Sequence, residues 1–341
     1  MSNFHSGFVA LVGRPNVGKS TLLNALIGQQ LSIVTPRPQT TRDRVVGISN
    51  FPDGQIAFVD TPGLHEGARR ALNRAMNRTA GSALADADLV VMVIDAQKWT
   101  DEDELVIQRI QEAKRPAFAA INKIDRLRDR ARLLPQLERL GGYGLFSEIV
   151  PISALRADNL ATLQRLILAA LPQAPAMFPP DQLTDRSERF RIGEIIREQL
   201  TLELHDEVPY GIAIEIESFE HTPGTTPASS AAASSATAAA EPEAQAPAGP
   251  AQRRRDRGTQ HAPPPVTGSG RTEVGAVIWV DREGQKPIVI GAGGERLKRV
   301  GRAARLKMNE QFGGRFHLTL WVKVREDWAD DARALAQLGV T

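Results

Sequence analysis

The sequence predicts an α/β protein in two parts: a P-loop domain with a mostly parallel sheet and helices on both faces, then a smaller α+β domain. Three observations carry this. Strand-length apolar runs alternate with helical stretches through the first half. A glycine-rich phosphate-loop pattern sits between the first strand and the first helix. After a proline-rich break the order changes to helix, strand, strand, glycine-rich turn and basic helix. A length of 341 residues suits two domains, and 42% apolar with 24% charged residues is a globular balance. With no cysteine, disulfides and thiolate chemistry are excluded. The start lacks a basic segment leading into an apolar run, and no stretch is long enough to span a bilayer, so a cytoplasmic protein is expected.

In the first part, Phe8–Gly13, Gln55–Asp60, Leu89–Ala96, Ala117–Lys123 and Glu148–Ser153 are expected strands. Lys19–Ile27, Asn73–Leu84, Glu102–Ala113, Arg130–Leu140 and Leu160–Ala170 are expected helices. Arg44–Phe51 joins Gln55–Asp60 through Pro52-Asp53-Gly54, which predicts a hairpin and one antiparallel edge strand. The domain boundaries expected are 1–172, a linker at 173–186, a second domain at 187–331 and a tail at 332–341. In the second domain, Ser187–Leu204 and Glu295–Phe312 have helical periodicity; Tyr210–Ser218, Glu273–Asp281 and Phe316–Val324 alternate as strands do. His221–Gly270 holds 13 Ala and 8 Pro, with Val266 its only large aliphatic residue. Such a segment cannot bury enough apolar surface to offset its ordering entropy, so a disordered insert (221–270) in a hairpin connection is expected. Its Arg253-Arg254-Arg255-Asp256-Arg257 run could touch RNA, but a solvated charge run inside a floppy loop is the preferred reading.

Gly13-Arg14-Pro15-Asn16-Val17-Gly18-Lys19-Ser20 fits G-x-x-x-x-G-K-[ST] in its required strand–loop–helix context. Inward-turned backbone N–H groups and the helix N-terminus favour phosphate there. Lys19 is expected to reach the β and γ phosphates and Ser20 to ligate Mg²⁺. Asp60-Thr61-Pro62-Gly63 ends a strand; Asp60 is expected to hold Mg²⁺ through water and the Gly63 amide to sense a γ-phosphate. Asn122-Lys123-Ile124-Asp125 ends a later strand. A carboxylate there can accept from guanine N1–H and the N2 amino group, a donor pair adenine lacks, so Asp125 selects guanine. Ser153-Ala154 would supply a backbone N–H to guanine O6. These segments all lie at C-terminal ends of parallel strands, where open α/β sheets bind ligands. In Gln39-Thr40-Thr41-Arg42-Asp43 a threonine can complete the Mg²⁺ shell when the third phosphate is present, Thr41 in preference to Thr40. This loop and Leu64–Ala71 are the expected switch segments. Leu64 stands where Ras-like GTPases carry a water-positioning glutamine, and leucine cannot orient water. The site is similar to that of GTPases with a Pro-Asn-x-Gly-Lys P-loop and a hydrophobic substitution, some of which recruit K⁺ with the P-loop asparagine; Asn16 occupies that position, and the resemblance implies K⁺ where an arginine finger would stand. The residues expected to carry the chemistry are therefore Lys19, Asn16, Thr41 and Gly63.

Between Arg282 and Arg325 there are 11 Lys/Arg against 3 Asp/Glu, although the whole chain carries only +2. A polyanion partner for this region follows. Ile290-Gly291-Ala292-Gly293-Gly294 contains a G-x-x-G turn before a helix bearing Arg296, Lys298, Arg299 and Arg302. In KH domains such a turn clamps single-stranded nucleic acid, because small residues admit the sugar-phosphate backbone. Leu297, Val300, Ala304 and Met308 form the core stripe of the same helix. Trp279, Trp321 and Trp328 are open to either stacking or core roles.

Gly13–Leu23, Gln39–Arg44, Asp60–Leu64, Asn122–Asp125, Thr184–Phe190, Glu194–Glu198, Arg282–Lys286, Val289–Gly294, Leu320–Lys323 and Trp328-Ala329-Asp330-Asp331 together resemble the Era family of bacterial GTPases. The resemblance spans nearly the whole chain except the insert. It implies a type II KH domain after the GTPase domain and a GTP/GDP switch, monomeric and Mg²⁺-dependent. It also implies binding to the 3′ end of 16S rRNA, assistance to 30S subunit maturation, and loose inner-membrane association. Two other readings stay open: an RNA-binding module indifferent to nucleotide, and a membrane-surface GTPase without RNA.

Overall fold

The computed structural model describes residues 4–35, 37, 40–63, 71–204, 211–222, 270–331 and 335. Leu64, the segment 64–70, the insert between Thr222 and Gly270 and most of the tail beyond Asp331 lie outside the described residues, as does Gln39.

The first sheet holds β1 (His5–Val12), β2 (Val45–Phe51), β3 (Gly54–Asp60), β4 (Leu89–Asp95), β5 (Ala117–Asn122) and β6 (Phe146–Pro151) in the order β2-β3-β1-β4-β5-β6. All neighbours are parallel except β2 with β3, which pair from Val45↔Asp60 to Phe51↔Gly54 as the hairpin reading requires. Successive β1 side chains reach opposite faces. Val9 and Leu11 pack with Leu22 and Leu23 of α1 (Lys19–Ile27); Ala10 and Val12 pack in the cluster that holds Ala80 and Leu84 of α2 (Ala71–Asp86) and Val106 of α3 (Asp101–Ala113). α4 (Leu134–Gly142) and α5 (Leu160–Ala170) complete the two helical layers. Arg130–Leu133 is a 3₁₀ turn, not the start of α4, because Pro135 sits in the first turn and sets where that helix begins.

The linker does more than connect. Ile48 N–H donates to the Leu183 carbonyl at 2.9 Å, Val46 N–H to Asp185 Oδ1 at 3.2 Å, and Gly47 bridges Thr184. The chain thereby closes the exposed edge of β2, a surface that would otherwise template association.

The second unit runs α6 (Glu188–Glu203), β7 (Ile212–Thr222), β8 (Arg271–Val280), α7 (Lys286–Ile290), α8 (Glu295–Phe312), β9 (Arg315–Val324). β7 and β8 are antiparallel, β8 and β9 parallel, in the order β7-β8-β9. Ile192, Ile196 and Leu200 of α6 and Val300, Ala304 and Met308 of α8 bury one face of this sheet. Thr222 pairs with Arg271, so the insert joins the ends of two hydrogen-bonded strands. Trp328 is fully buried beside Leu72 and Met76 of α2 and Ala213 of β7, which ties the two sheets' units together.

Candidate nucleotide and nucleic-acid sites

The P-loop is wedged between β1 and the end of β5. Gly18 has φ 101°, and a Cβ there would lie 2.4 Å from Asn122 Nδ2. That amide donates to the Val17 carbonyl at 2.9 Å, so glycine is required sterically as well as conformationally. Lys19 Nζ donates to the carbonyls of Gly13 (2.9 Å) and Arg14 (3.0 Å) at the mouth of the loop. Burial lowers its pKa to about 8, with attraction to Asp60 opposing and repulsion from Arg14 assisting. Arg14 itself turns away: its Nε pairs with Asp103 Oδ2 at 3.0 Å and its Nη2 donates to the Lys98 carbonyl at 3.1 Å. Its side chain anchors the loop to the start of α3.

Ser20, Thr41 and Asp60 converge. The Ser20 hydroxyl donates to Asp60 Oδ2 at 2.7 Å and shares a hydrogen bond with Thr41 Oγ1 at 2.8 Å; Thr41 Oγ1 lies 3.4 Å from Asp60 Oδ2. Asp60 Oδ1 is buried with no hydrogen-bond partner, and burial raises the Asp60 pKa despite Lys19 nearby. A buried carboxylate with an unused oxygen beside two hydroxyls is a hard-oxygen donor set that fits a small divalent cation. Thr40 is occupied elsewhere: its hydroxyl donates to the Arg37 carbonyl at 2.7 Å and lies 2.7 Å from Thr35 Oγ1. Of the two threonines, it is Thr41 whose hydroxyl joins Ser20 and Asp60.

On the base side, Ser153 Oγ donates to Asp125 Oδ1 at 2.6 Å. Lys123 Nζ reaches the Asn16 carbonyl (2.5 Å) and Asp95 Oδ2 (2.7 Å), bracing the P-loop against β4. The Ala154 N–H donates to Asn122 Oδ1 at 2.9 Å and the Ser153 N–H to the Asp158 carbonyl at 3.2 Å. The buried Asn122 amide must satisfy its own acceptor and takes the Ala154 hydrogen. Ile124 packs on the core, and Thr61 Oγ1 donates to the Leu11 carbonyl at 2.8 Å; both shape the site from behind, as does the buried Pro62. A cavity of about 390 Å³ opens between these segments, lined among others by Asn16, Lys19, Ser20, Thr41, Gly63 and Lys123, with Arg37 and Arg126 at its walls.

The second site lies at the junction of α7 and α8. Gly291, Gly293 and Gly294 all have positive φ (74°, 59° and 77°). A Cβ on Gly291 would meet Arg296 Cβ at 2.6 Å, whereas one on Gly293 meets nothing within 4 Å, so Gly293 faces open space. The short α7 was not visible in the sequence pattern; five residues with Pro287 in the first turn give no period to read. The cations of α8 are largely engaged. Arg296 Nη1 donates to the Ile288 carbonyl at 2.5 Å, Lys298 pairs with Glu295 at 2.9 Å, and Arg299 Nε reaches Glu203 at 2.8 Å. Arg302 is on the same helix, one turn beyond Lys298. Trp328 is a core residue; Trp279 donates to Glu215 at 2.7 Å, and Trp321 is 45% exposed.

Three residues that sequence reasoning left unassigned connect the sites. Arg197 Nη2 donates to the Thr40 carbonyl at 2.7 Å while its fork holds Glu194. The buried Glu198 accepts from Gln30 Nε2 (2.9 Å) and Val34 N–H (3.2 Å) with one oxygen and pairs with Lys307 of α8 through the other. Arg42 Nη1 donates to the Ile212 carbonyl at 2.6 Å. Burial disfavours the Arg197 charge, but Glu194, Asp43 and Glu198 outweigh that and its pKa ends raised. Charged residues at 194, 197 and 198 inside the apolar stripe of α6 were the available signal.

A strand–P-loop–helix on a parallel sheet, with Asn-Lys-x-Asp at the end of β5 and an α-β-β-α-α-β unit carrying G-x-x-G, defines a GTPase joined to a KH domain. A family model described as a 50S ribosome-binding GTPase matches residues 8–123, and a KH-domain model matches residues 266–329. GTPase Era of Stenotrophomonas maltophilia (strain R551-3) is 44% identical over 98% of this chain and 97% of its own. GTPase Era of Marinobacter nauticus is 44% identical over 98% and 95%. The crystal structure of Era in complex with MgGDPNP and nucleotides 1506–1542 of 16S ribosomal RNA matches with a TM-score of 0.82 at 35% identity, covering 99% of each chain. An Aquifex aeolicus Era variant bound to GDP·AlF₄⁻ matches equally well. The chain belongs to the Era family of GTPases.

Proposed function

We propose that this GTPase is a molecular switch whose nucleotide state sets how firmly its KH domain grips the 3′ end of 16S rRNA during 30S subunit maturation. The observation that carries the reading is the interlock of Arg197 with Thr40 and of Glu198 with Val34 and Lys307. The loop that presents Thr41 to the nucleotide is thereby bonded to α6, which Glu198 ties to α8, the helix that follows the G-x-x-G turn. Residues 1–172 form the GTPase domain, 173–186 the linker and 187–331 the KH domain, with the insert between its first two strands.

In this reading Mg²⁺ is held by Ser20, Thr41 and, through water, Asp60; it neutralises phosphate charge when bound. Lys19 and the P-loop amides bind the phosphates, Gly63 senses the third, and Asp125, oriented by Ser153, selects guanine. Asn16 recruits K⁺, since Leu64 cannot position water. Gly291–Gly294 clamps the RNA strand, and Arg296, Lys298, Arg299 and Arg302 exchange some of their present partners for phosphates. The relatives' names and the RNA-bound Era structure support this assignment. Peripheral inner-membrane contact and a monomeric state belong to the same reading; among the described residues no helix is long and apolar enough to cross a membrane.

Gly293→Asp tests it. The new Cβ enters open space and aspartate tolerates positive φ, so the fold persists while a negative charge faces the clamp. Affinity for a single strand carrying the 16S 3′-end sequence should fall about tenfold or more, with GTP affinity unchanged. Unchanged RNA affinity would remove the clamp assignment.

A further inference from the structure

Among the described residues, a run of unpartnered cations lies away from the KH helix. It lies on the GTPase domain, immediately after Asp125. Arg126, Arg128, Arg130 and Arg132 are all exposed, and none has an ionic or hydrogen-bonding side-chain partner among the described residues. The one acid between them, Asp129, is committed to the Ala131 N–H at 2.9 Å as the cap of the 3₁₀ turn. On α8, by contrast, Arg296, Lys298, Arg299 and Lys307 already have partners. Two 3₁₀ turns, Ile124–Arg126 and Arg130–Leu133, hold this arginine ridge on the rim of the nucleotide cavity, which Arg126 helps to line.

We infer that this ridge is a second RNA-binding surface, which takes the phosphate backbone of ribosomal RNA without regard to sequence. The inference rests on the RNA reading given above and adds a contact on the GTPase domain. Four arginines and no lysine favour phosphates, because each planar fork can donate two parallel bonds to a phosphate. A lipid surface fits less well. The apolar residues of this segment, Ile124, Leu127 and Leu133, are packed into the domain core, and only Leu134, 58% exposed, is left to enter a bilayer. RNA seated here would lie beside the guanine end of the nucleotide, while the KH clamp holds a strand on the other domain. A short strand engages the clamp alone, and a long folded RNA can engage both.

The test uses the full-length chain, the triple variant Arg128→Gln, Arg130→Gln, Arg132→Gln, and a charge-matched control, Arg109→Gln, Lys114→Gln, Arg165→Gln. Arg126 is left in place because it lines the nucleotide cavity. Binding is measured across a salt series to deproteinised full-length 16S rRNA and to a short single strand of its 3′ end. The triple variant should lower the slope of log K against log salt on full-length rRNA by about 2, with no change for the short strand or for GTP. The control should keep the wild-type slope. An unchanged slope in the triple variant, or an equal loss in the control, overturns the inference. So does loss of binding to anionic phosphatidylserine vesicles with the rRNA slope intact. Failure of the wild type to bind the short strand would instead count against the KH reading, and the full-length rRNA arm would still decide the ridge.

Discussion

Arg197, on the first helix of the KH domain, donates a 2.7 Å hydrogen bond to the backbone carbonyl of Thr40, the residue next to the one that meets Ser20 and Asp60. A movement of Thr41 on gain or loss of a cation and third phosphate therefore reaches α6 through one residue. Arg197→Lys keeps a buried positive charge near Glu194 but cannot hold Glu194 and Thr40 with one planar fork. Stability to urea should fall by about 1–2 kcal/mol, and the ratio of RNA affinities with GTP analogue and GDP should move towards one. A retained ratio in a stable variant would show that coupling runs elsewhere.

Asp125→Asn replaces an acceptor pair with a mixed amide. GTP affinity should fall about 100-fold or more, since the guanine donors are left unpaired, and xanthosine triphosphate should become the better ligand. Competition binding measures both. RNA binding in the absence of nucleotide should not change.

Turnover should depend on K⁺. With Leu64 in the place of a water-positioning glutamine, replacement of K⁺ by Na⁺ at constant ionic strength should slow GTP hydrolysis about tenfold, and Asn16→Ala should abolish the difference. Equal rates in both salts would shift the charge-stabilising role to the cavity's own cations, Arg37 and Arg126.

Lys19 gives a pH signature. Its pKa in the nucleotide-free site is about 8, and bound phosphates restore the charged form. GTP binding then takes up a proton near and above that pH, and affinity should be about fourfold weaker at pH 8.5 than at pH 7. Lys19→Arg should bind more weakly but flatten this dependence. For stability the sign follows from the same depression: between pH 8 and the ordinary 10.5 the unfolded chain holds more protons, so this group's contribution makes the nucleotide-free fold more stable as pH rises. Calorimetry at two buffer ionisation enthalpies measures the proton uptake directly.

Local chemistry was legible in the sequence, and long-range closure was not. α1, α5 and α8 begin and end where their motifs and periodicity place them, because the P-loop glycine, the apolar stripe and Gly313 are local signals. β6 lies two residues earlier than its apolar pattern suggests, at Phe146–Pro151. The proline-rich linker reads as a mere connection, yet it seals the β2 edge, Leu183 and Thr184 with backbone groups that leave no side-chain pattern and Asp185 with its carboxylate. Ser20, Thr41, Asp60 and Asp125 could be singled out as candidates because the start of α1, the loop before β2 and the ends of β3 and β5 carry local residue patterns. The Asn122–Ala154 bond and the Glu198 contacts depend on which segments meet in space, 32 and 164 residues apart.

The central claim is that nucleotide state governs RNA grip. Equilibrium affinity of the full-length protein for a single strand carrying the 16S 3′ end, measured with a non-hydrolysable GTP analogue and with GDP, tests it most directly. The account predicts binding about tenfold tighter with the analogue, about 1.4 kcal/mol of coupling. Equal affinities in the two states would contradict it.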